Sequence, residues 1–423
     1  MSHSSGSPAG RPPHVIVIGG GVAGSGAALA AAAAGATVLL IDGGSGASTL
    51  STGAVDAASE RSGRVLPAPV AARGIAKALG TVVPERGARV LTSAGIARWA
   101  GGHDAALLDV SSVPAGRIGV VVARRSGWDA SWLARAWGER FGAFQANLLR
   151  HSDEEHLPDA ELAARHDDPA RLAWLADRIR TALAQSHEAW SGIVVPPLLG
   201  LDRPQAAELS RLVGVRCGEA IGLPGGPSGL RFENARDRAL IEQGVERVRD
   251  RAQSVRRAGS QWQVVTEAGT TFAGTAVVLA AGGLIGGGIA YAPSEATVAT
   301  ALPAAARLPL RATVDAPVTL GAYGRMLEVP GSLFGMEPEG IASSMDGLLY
   351  RGGVLTAESG AAIGNPPDEP RGLFVAGEMV ADAARTWLES LASGVRAGQA
   401  ASRHGVTGPH RSEGLDSKPA SPP

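Results

Sequence analysis

Apolar residues fall in short continuous runs separated by glycine-rich or polar stretches, and the first two runs bracket an alanine-rich segment. Val15–Ile18 reads as a buried strand, Val22–Ala34 as a helix, and Thr37–Ile41 as a second strand that stops at Asp42. From about Arg117 strands and helices alternate. Ile118–Ala123 is predicted as a strand and Ala130–Phe141 as a helix. Helices near 170–186 and 204–213 flank a strand Gly192–Pro196, a further strand lies near Glu219–Leu223, and a helix Ser228–Gln243 follows. Such alternation implies a parallel sheet covered on both faces. The pattern then switches to short strands, Arg247–Val255, Gln261–Thr266 and Thr271–Phe272, leading into the apolar run Ala276–Gly283. A strand Leu373–Ala376 and a helix Ser390–Ser402 close the folded part, with no internal repeat.

A chain of 423 residues exceeds what one hydrophobic core supports, so two or more lobes are expected. Residues 1–12 and 407–423 are polar, Pro/Ser/Gly-rich tails without periodicity and are predicted to be disordered. With 39 basic and 40 acidic residues the net charge is −1, which gives no general attraction to nucleic acid or anionic lipid. Cys217 is the single cysteine, so the chain alone holds no disulfide, zinc cluster or iron–sulfur centre. No signal peptide or membrane-spanning run is apparent, and a cytoplasmic location is expected.

The chemistry begins in the turn between the first strand and helix. Gly19-Gly20-Gly21-Val22-Ala23-Gly24 is a G-x-G-x-x-G in which the first glycine permits a tight turn, the second admits a pyrophosphate to the backbone, and the third lets helix and strand pack closely. A pyrophosphate then meets the helix N-terminus, where unpaired N–H groups and the helix dipole favour anions. Asp42, at the tip of the second strand, is placed to accept hydrogen bonds from adenosine ribose hydroxyls. Strand, glycines, helix, strand and acid occur in order, which makes the motif a dinucleotide site.

Three later segments favour FAD over NAD. The loop Gly43-Gly-Ser-Gly-Ala-Ser48-Thr-Leu-Ser51-Thr52-Gly53 offers small hydroxyl and backbone donors along a pyrophosphate and ribityl chain. Val277–Gly283, with Gly282 in its turn, is similar to the strand-to-turn element that returns to the adenosine side in flavin enzymes. Gly372-Leu-Phe-Val-Ala-Gly377-Glu378 resembles the late flavoprotein motif whose acid bonds a ribityl hydroxyl, and the helix after it would aim its N-terminus at the flavin. The expected fold is α/β: a Rossmann-like FAD-binding domain of glutathione-reductase type in three parts, 13–110, 244–290 and 351–406, with an inserted second α/β lobe at 111–243 and a cap or substrate segment at 291–350.

The order of these elements resembles the B subunit of anaerobic glycerol-3-phosphate dehydrogenase, within the larger flavoprotein group that includes fumarate reductase. Besides the glycine motif, the similar segments are Leu50–Asp56, Ser126-Gly-Trp-Asp129, Pro196–Gly200, Gly229-Leu-Arg231, Leu279–Gly288, Arg351–Thr356 and Gly372–Glu378, spread over 14–402. The resemblance implies a part in oxidising sn-glycerol 3-phosphate to glycerone phosphate, with a catalytic A subunit and a membrane-associated iron–sulfur subunit as partners. The family's B subunit is often assigned FMN; Asp42 and the intact glycine motif argue for FAD, with FMN as the alternative. One departure is the segment Glu389-Ser-Leu-Ala-Ser-Gly394, which has fewer glycines before the last helix than is usual there.

A phosphate-bearing substrate calls for arginine, whose planar fork pairs two oxygens. Arg231 at a helix start and Arg351 beside a Gly-Gly turn are the best candidates, ahead of Arg325 and Arg385. Among nine histidines none has a context that marks a catalytic base. Trp128 and Trp132 are four apart and are expected to share one face of the helix from 130, buried against a neighbour.

Overall fold

The computed structural model describes residues 14–57, 70–283, 286–293, 310–314, 324–325, 327–329, 353–363, 371–381 and 383–404. The tails at 1–12 and 407–423, Arg351 and most of the segment 291–350 lie outside the described residues.

The runs VIVI, VLLI and AVVL are buried at every position, as strands covered on both faces must be. They form the centre of a five-stranded parallel sheet in the order Glu246–Val248, β2 (Val38–Ile41), β1 (Val15–Ile18), Ala276–Leu279, Leu373–Val375. Val15 pairs with Val38 on one side and with Ala276 on the other. On one face lies helix α1 (Val22–Ala33), itself covered by the last helix, Trp387–His404. These two helices are in backbone contact: a Cβ at Gly394 would stand 2.1 Å from the Ala23 carbonyl oxygen, and one at Gly398 2.2 Å from that of Ala27. The other face is covered by an antiparallel meander, Ala252–Ala258, Gln261–Thr266 and Thr271–Gly274. Val255, Trp262 and Val264 of the meander pack on Ile16, Ile18 and Leu39. The fold is α/β and Rossmann-like.

A second parallel sheet, in the order Arg216–Glu219, Trp190–Val195, Arg117–Val121, Phe141–Phe144, has helix Ala130–Trp137 on one side and helices Pro169–Gln185 and Ala206–Val213 on the other. The long helix Pro227–Glu242 then carries the chain back to the first lobe. Between the lobes sits an antiparallel sheet built from Ala54–Ala57, Thr81–Val82, Ala88–Leu91 and Ala97–Asp104.

Several expectations are corrected. The helix from Ala130 ends at Trp137, because Gly138 turns the chain at φ +112°, and Phe141 opens a strand instead of closing the helix. The strand expected at Glu219–Leu223 lies earlier, at Arg216–Glu219. The stretch 247–255 divides into an edge strand of the main sheet and the first strand of the meander. Trp128 precedes the helix, is buried and meets Trp137 edge-on with ring centroids 6.3 Å apart, whereas Trp132 is 45% exposed; the two do not share a buried face.

Candidate functional site

The glycine-rich turn divides its tasks among its residues. Gly19, at φ +104°, leaves room only for the neighbouring strand: a Cβ there would be 2.2 Å from the Ala280 carbonyl oxygen. A Cβ at Gly24 would be 1.8 Å from the Gly19 carbonyl oxygen, so this glycine closes helix on turn. At Gly20 the neighbour is Asp42, whose carboxyl carbon would lie 2.4 Å away, so the acid sits directly over the turn. Gly21, the N-cap of α1, is different. Its Cβ would meet only Ser48 Oγ, at 3.3 Å, and would otherwise project into open space. The Val22 N–H donates to Ser48 Oγ at 3.1 Å, tying the loop after β2 to the helix start.

This turn forms one end of a cleft of about 1120 Å³. Gly19, Gly20, Gly21, Val22, Ala23, Asp42, Ser48, Ser51, Thr52, Gly282, Gly377 and Glu378 all line it, although they come from segments more than 300 residues apart. Gly24 is left out because it packs inside the turn, and Gly53 faces a neighbouring cavity. Asp56, from the strand Ala54–Ala57, also lines the cleft, together with Arg385, Thr386 and Trp387 at the entry to the last helix. Burial raises the Glu378 carboxyl, with Arg385 and the Gly283 N–H opposing it.

Sequence reasoning assigned no role to Asp56. It is the one non-glycine residue at positive φ (+52°) among the described residues. Its two oxygens both lie 3.3 Å from the Leu388 N–H, so it caps the last helix, and burial raises its pKa against the hydrogen bonds from Leu388, Thr386 and Trp387. Left-handed backbone at an aspartate has no signature in sequence beyond that residue's tolerance for it.

Arg231 does not serve as expected. It is 3% exposed, and all five of its N–H donors have acceptors: Asp104 at 2.7 Å from Nε, the Gly200 carbonyl oxygen and Glu219 from Nη1, and Glu219 and Ser228 from Nη2. Nothing remains for a substrate phosphate. Beside the cleft, and sharing Ser51, Val55 and Trp387 with it, is a cavity of about 420 Å³ with Lys77, Arg203 and Arg238 among its lining residues. Among the described residues no group of three or more His, Cys, Asp or Glu is placed to hold a metal. Cys217 is buried and its thiol is pushed up to about 12, so it is inert. No helix among the described residues is long and apolar enough to cross a membrane.

Residues 14–72 match the family model described as FAD binding domain. No curated protein matches in sequence. Among solved structures, the chain is similar to 3-ketosteroid Δ1-dehydrogenase from Sterolibacterium denitrificans, at 12% identity over 92% of this chain and 99% of that one with a TM-score of 0.37. It is similar to a flavocytochrome c3 fumarate reductase at 14% identity over 93% and 78%, TM-score 0.36. Glycine oxidase from Bacillus cereus matches at 13% identity over 92% and 94%, TM-score 0.30. None of these likenesses bears on what this chain acts on.

Glycine turn, acid and cleft, with the FAD binding domain match over residues 14–72, define a flavoprotein with a Rossmann-like fold, and its cofactor is FAD. The residues fit that molecule. Gly21 leaves a cradle that any side chain would fill, and the cleft exceeds the roughly 300–1,000 Å³ usual for compact ligands, as an extended dinucleotide requires.

Proposed function

We propose that this chain is the flavin subunit, of the B type, of a quinone-linked glycerol-3-phosphate dehydrogenase, taking part in the oxidation of sn-glycerol 3-phosphate to glycerone phosphate. The observation that carries the reading is the junction of cleft and cavity: the wall formed by Ser51, Val55 and Trp387 separates the FAD cleft from a pocket bearing Lys77, Arg203 and Arg238. A bound flavin accepts two electrons as hydride. Lys77, together with Arg203 and Arg238, whose guanidinium groups also engage the exposed Asp202, suits a phosphate ester placed next to it. The order of the sequence segments supports the same family.

In this reading a catalytic A subunit and a membrane-associated iron–sulfur subunit are the partners, and the complex works at the inner face of the membrane. One inert cysteine leaves this chain without the means to hand electrons onward through a cluster, which favours such a partner. The test is an anaerobic titration of the FAD-loaded chain with sn-glycerol 3-phosphate, with and without the A-type subunit. Bleaching of the flavin absorbance in either arm supports the proposal. No bleaching in either arm, with bleaching by another small alcohol or amine, overturns it in favour of a stand-alone oxidoreductase.

A further inference from the structure

Two determinants of the adenosine end, the Gly20–Gly21 peptide and the Asp42 carboxylate, are joined behind the cleft by a closed run of charged side chains. On the long helix, Arg236 is 5% exposed and its Nη1 donates to the Gly20 carbonyl oxygen at 3.0 Å. Its Nε and Nη2 both reach Asp237 Oδ1 at 2.8 Å. The same Oδ1 receives Arg247 Nη1, also at 2.8 Å, from the edge strand of the main sheet. The other edge of the Arg247 guanidinium, Nε and Nη2, grips Asp42 Oδ2. Since Asp42 lies over Gly20, the run returns to its start.

Each link has a geometric consequence at the cleft. A trans peptide is planar, so its C=O and N–H point in opposite directions. Arg236 and Ser25 Oγ (3.2 Å) hold the Gly20 carbonyl inward, which turns the Gly21 N–H toward the open side. An ionised carboxylate offers about four acceptor positions. Arg247 fills two on Oδ2 of Asp42 and the Gly44 N–H one on Oδ1 at 3.1 Å, leaving one on Oδ1. Burial disfavours a charged Asp237, yet the hydrogen bonds from Arg236 and Arg247 bring its carboxyl below the usual range, so Asp237 stays ionised.

We propose that Arg236, Asp237 and Arg247 form a positioning relay that selects the adenine dinucleotide, presenting the Gly21 N–H to the pyrophosphate and Oδ1 of Asp42 to the adenosine ribose. None of the three lines the cleft, so all act through other residues. The inference depends on the FAD site and is independent of the substrate the flavin oxidises.

The test uses the full chain stripped of flavin, titrated with FAD by fluorescence and with ADP by competition. Asp237→Asn keeps shape and removes the charge; Arg247→Ala removes the link to Asp42. Each variant is expected to weaken FAD and ADP by the same factor, about tenfold, the scale of one lost charge-assisted hydrogen bond. Each flavin-free variant is expected to melt lower, because a buried partner is left unpaired, so affinities are read at a temperature where circular dichroism shows the flavin-free variant fully folded. Because Arg247 acts through Asp42, the double variant Asp42→Ala/Arg247→Ala binds FAD as Asp42→Ala alone does. Unchanged or tighter FAD binding in both single variants overturns the relay. So does a loss of FAD affinity without loss of ADP affinity, or an affinity loss that vanishes at a temperature where the flavin-free variant is fully folded. Should Asp237→Asn fail to fold, Arg247→Ala, on an edge strand, decides alone.

Discussion

Arg231 Nη2 stands 2.6 Å from Glu219 Oε2, with both side chains withdrawn from solvent. The pair joins the long helix Pro227–Glu242 to the edge strand of the second sheet, and Asp104, 2.7 Å from Nε, brings in the antiparallel sheet between the lobes. One guanidinium therefore fixes how three units of the fold meet. Buried pairs add little over apolar replacements, but breaking one strands a charge.

Arg231→Met is accordingly expected to cost about 3–5 kcal/mol, read from urea midpoints. Burial raises the Glu219 carboxyl, against the pull of Arg231, and removing the arginine raises it further. An acid whose folded pKa lies above its unfolded value holds more protons when folded, so stability from it grows as pH falls. The deficit of Arg231→Met should shrink between pH 8 and pH 5. A deficit that widens on acidification would show that the carboxylates are not what the arginine neutralises.

The glycine turn gives a contrast within six residues. Gly21→Ala puts a methyl group into the cleft with only Ser48 Oγ nearby, so the fold should hold while FAD affinity falls by at least about tenfold. Gly24→Ala drives a Cβ into the Gly19 carbonyl oxygen and should lower the melting temperature of the flavin-free chain as well. Thermal scans with and without FAD separate the two. Equal behaviour of the variants would refute the division of tasks.

Asp56 tests another part of the cleft lining. Asp56→Ala loses the cap on the last helix, about 1 kcal/mol, and keeps a left-handed backbone that alanine disfavours by a further 1–2 kcal/mol or so. Asp56→Asn keeps both the acceptor and the tolerance for positive φ, and should stay within about 0.5 kcal/mol of the parent chain. If asparagine proves as damaging as alanine in chemical denaturation, the charge of Asp56 rather than its cap supports the helix.

The parts of this fold that are legible in sequence are those whose cause is local. Val15–Ile18, the glycines and Val38–Ile41 declare strand, turn, helix and strand through composition and spacing alone. The distant strands Ala276–Leu279 and Leu373–Val375 are legible for the same reason, as apolar runs ended by glycine. What escapes is non-local. Arg231 looks like a phosphate ligand at a helix start until Asp104 appears beside it, 127 residues away in sequence. The antiparallel sheet of 54–104 has strands such as Ala97–Asp104 interrupted by glycine, and Gly102 is there because the Val82 carbonyl oxygen leaves 2.9 Å for a Cβ. That constraint exists only once the sheet is assembled.

His166 makes the final prediction, far from the cofactor. Its ring is wholly buried, with Nδ1 2.9 Å from the Leu162 carbonyl oxygen, and Arg171, Glu154 and Asp167 are the charged groups that act on it. Burial pulls its pKa from 6.5 down to about 4; Arg171 adds to the fall, while Leu162, Glu154 and Asp167 resist it. The folded ring is then neutral where the unfolded one already binds a proton. Between pH 6.5 and about 4 the unfolded state holds more protons, so this contribution is fully present above pH 6.5 and drains away as pH drops toward 4. A shift of that size corresponds to about 3 kcal/mol, of which roughly 2 should be lost by about pH 5. His166→Gln removes the titration and keeps a donor for the Leu162 carbonyl. The acids that burial raises, Asp56, Glu219 and Glu378, are not among the groups that act on His166 and titrate alike in both chains, so they cancel in the comparison. Urea midpoints at pH 7 and pH 5 should show the parent chain losing about 2 kcal/mol more than the variant; equal losses would mean that the folded ring takes up its proton as readily as the unfolded one.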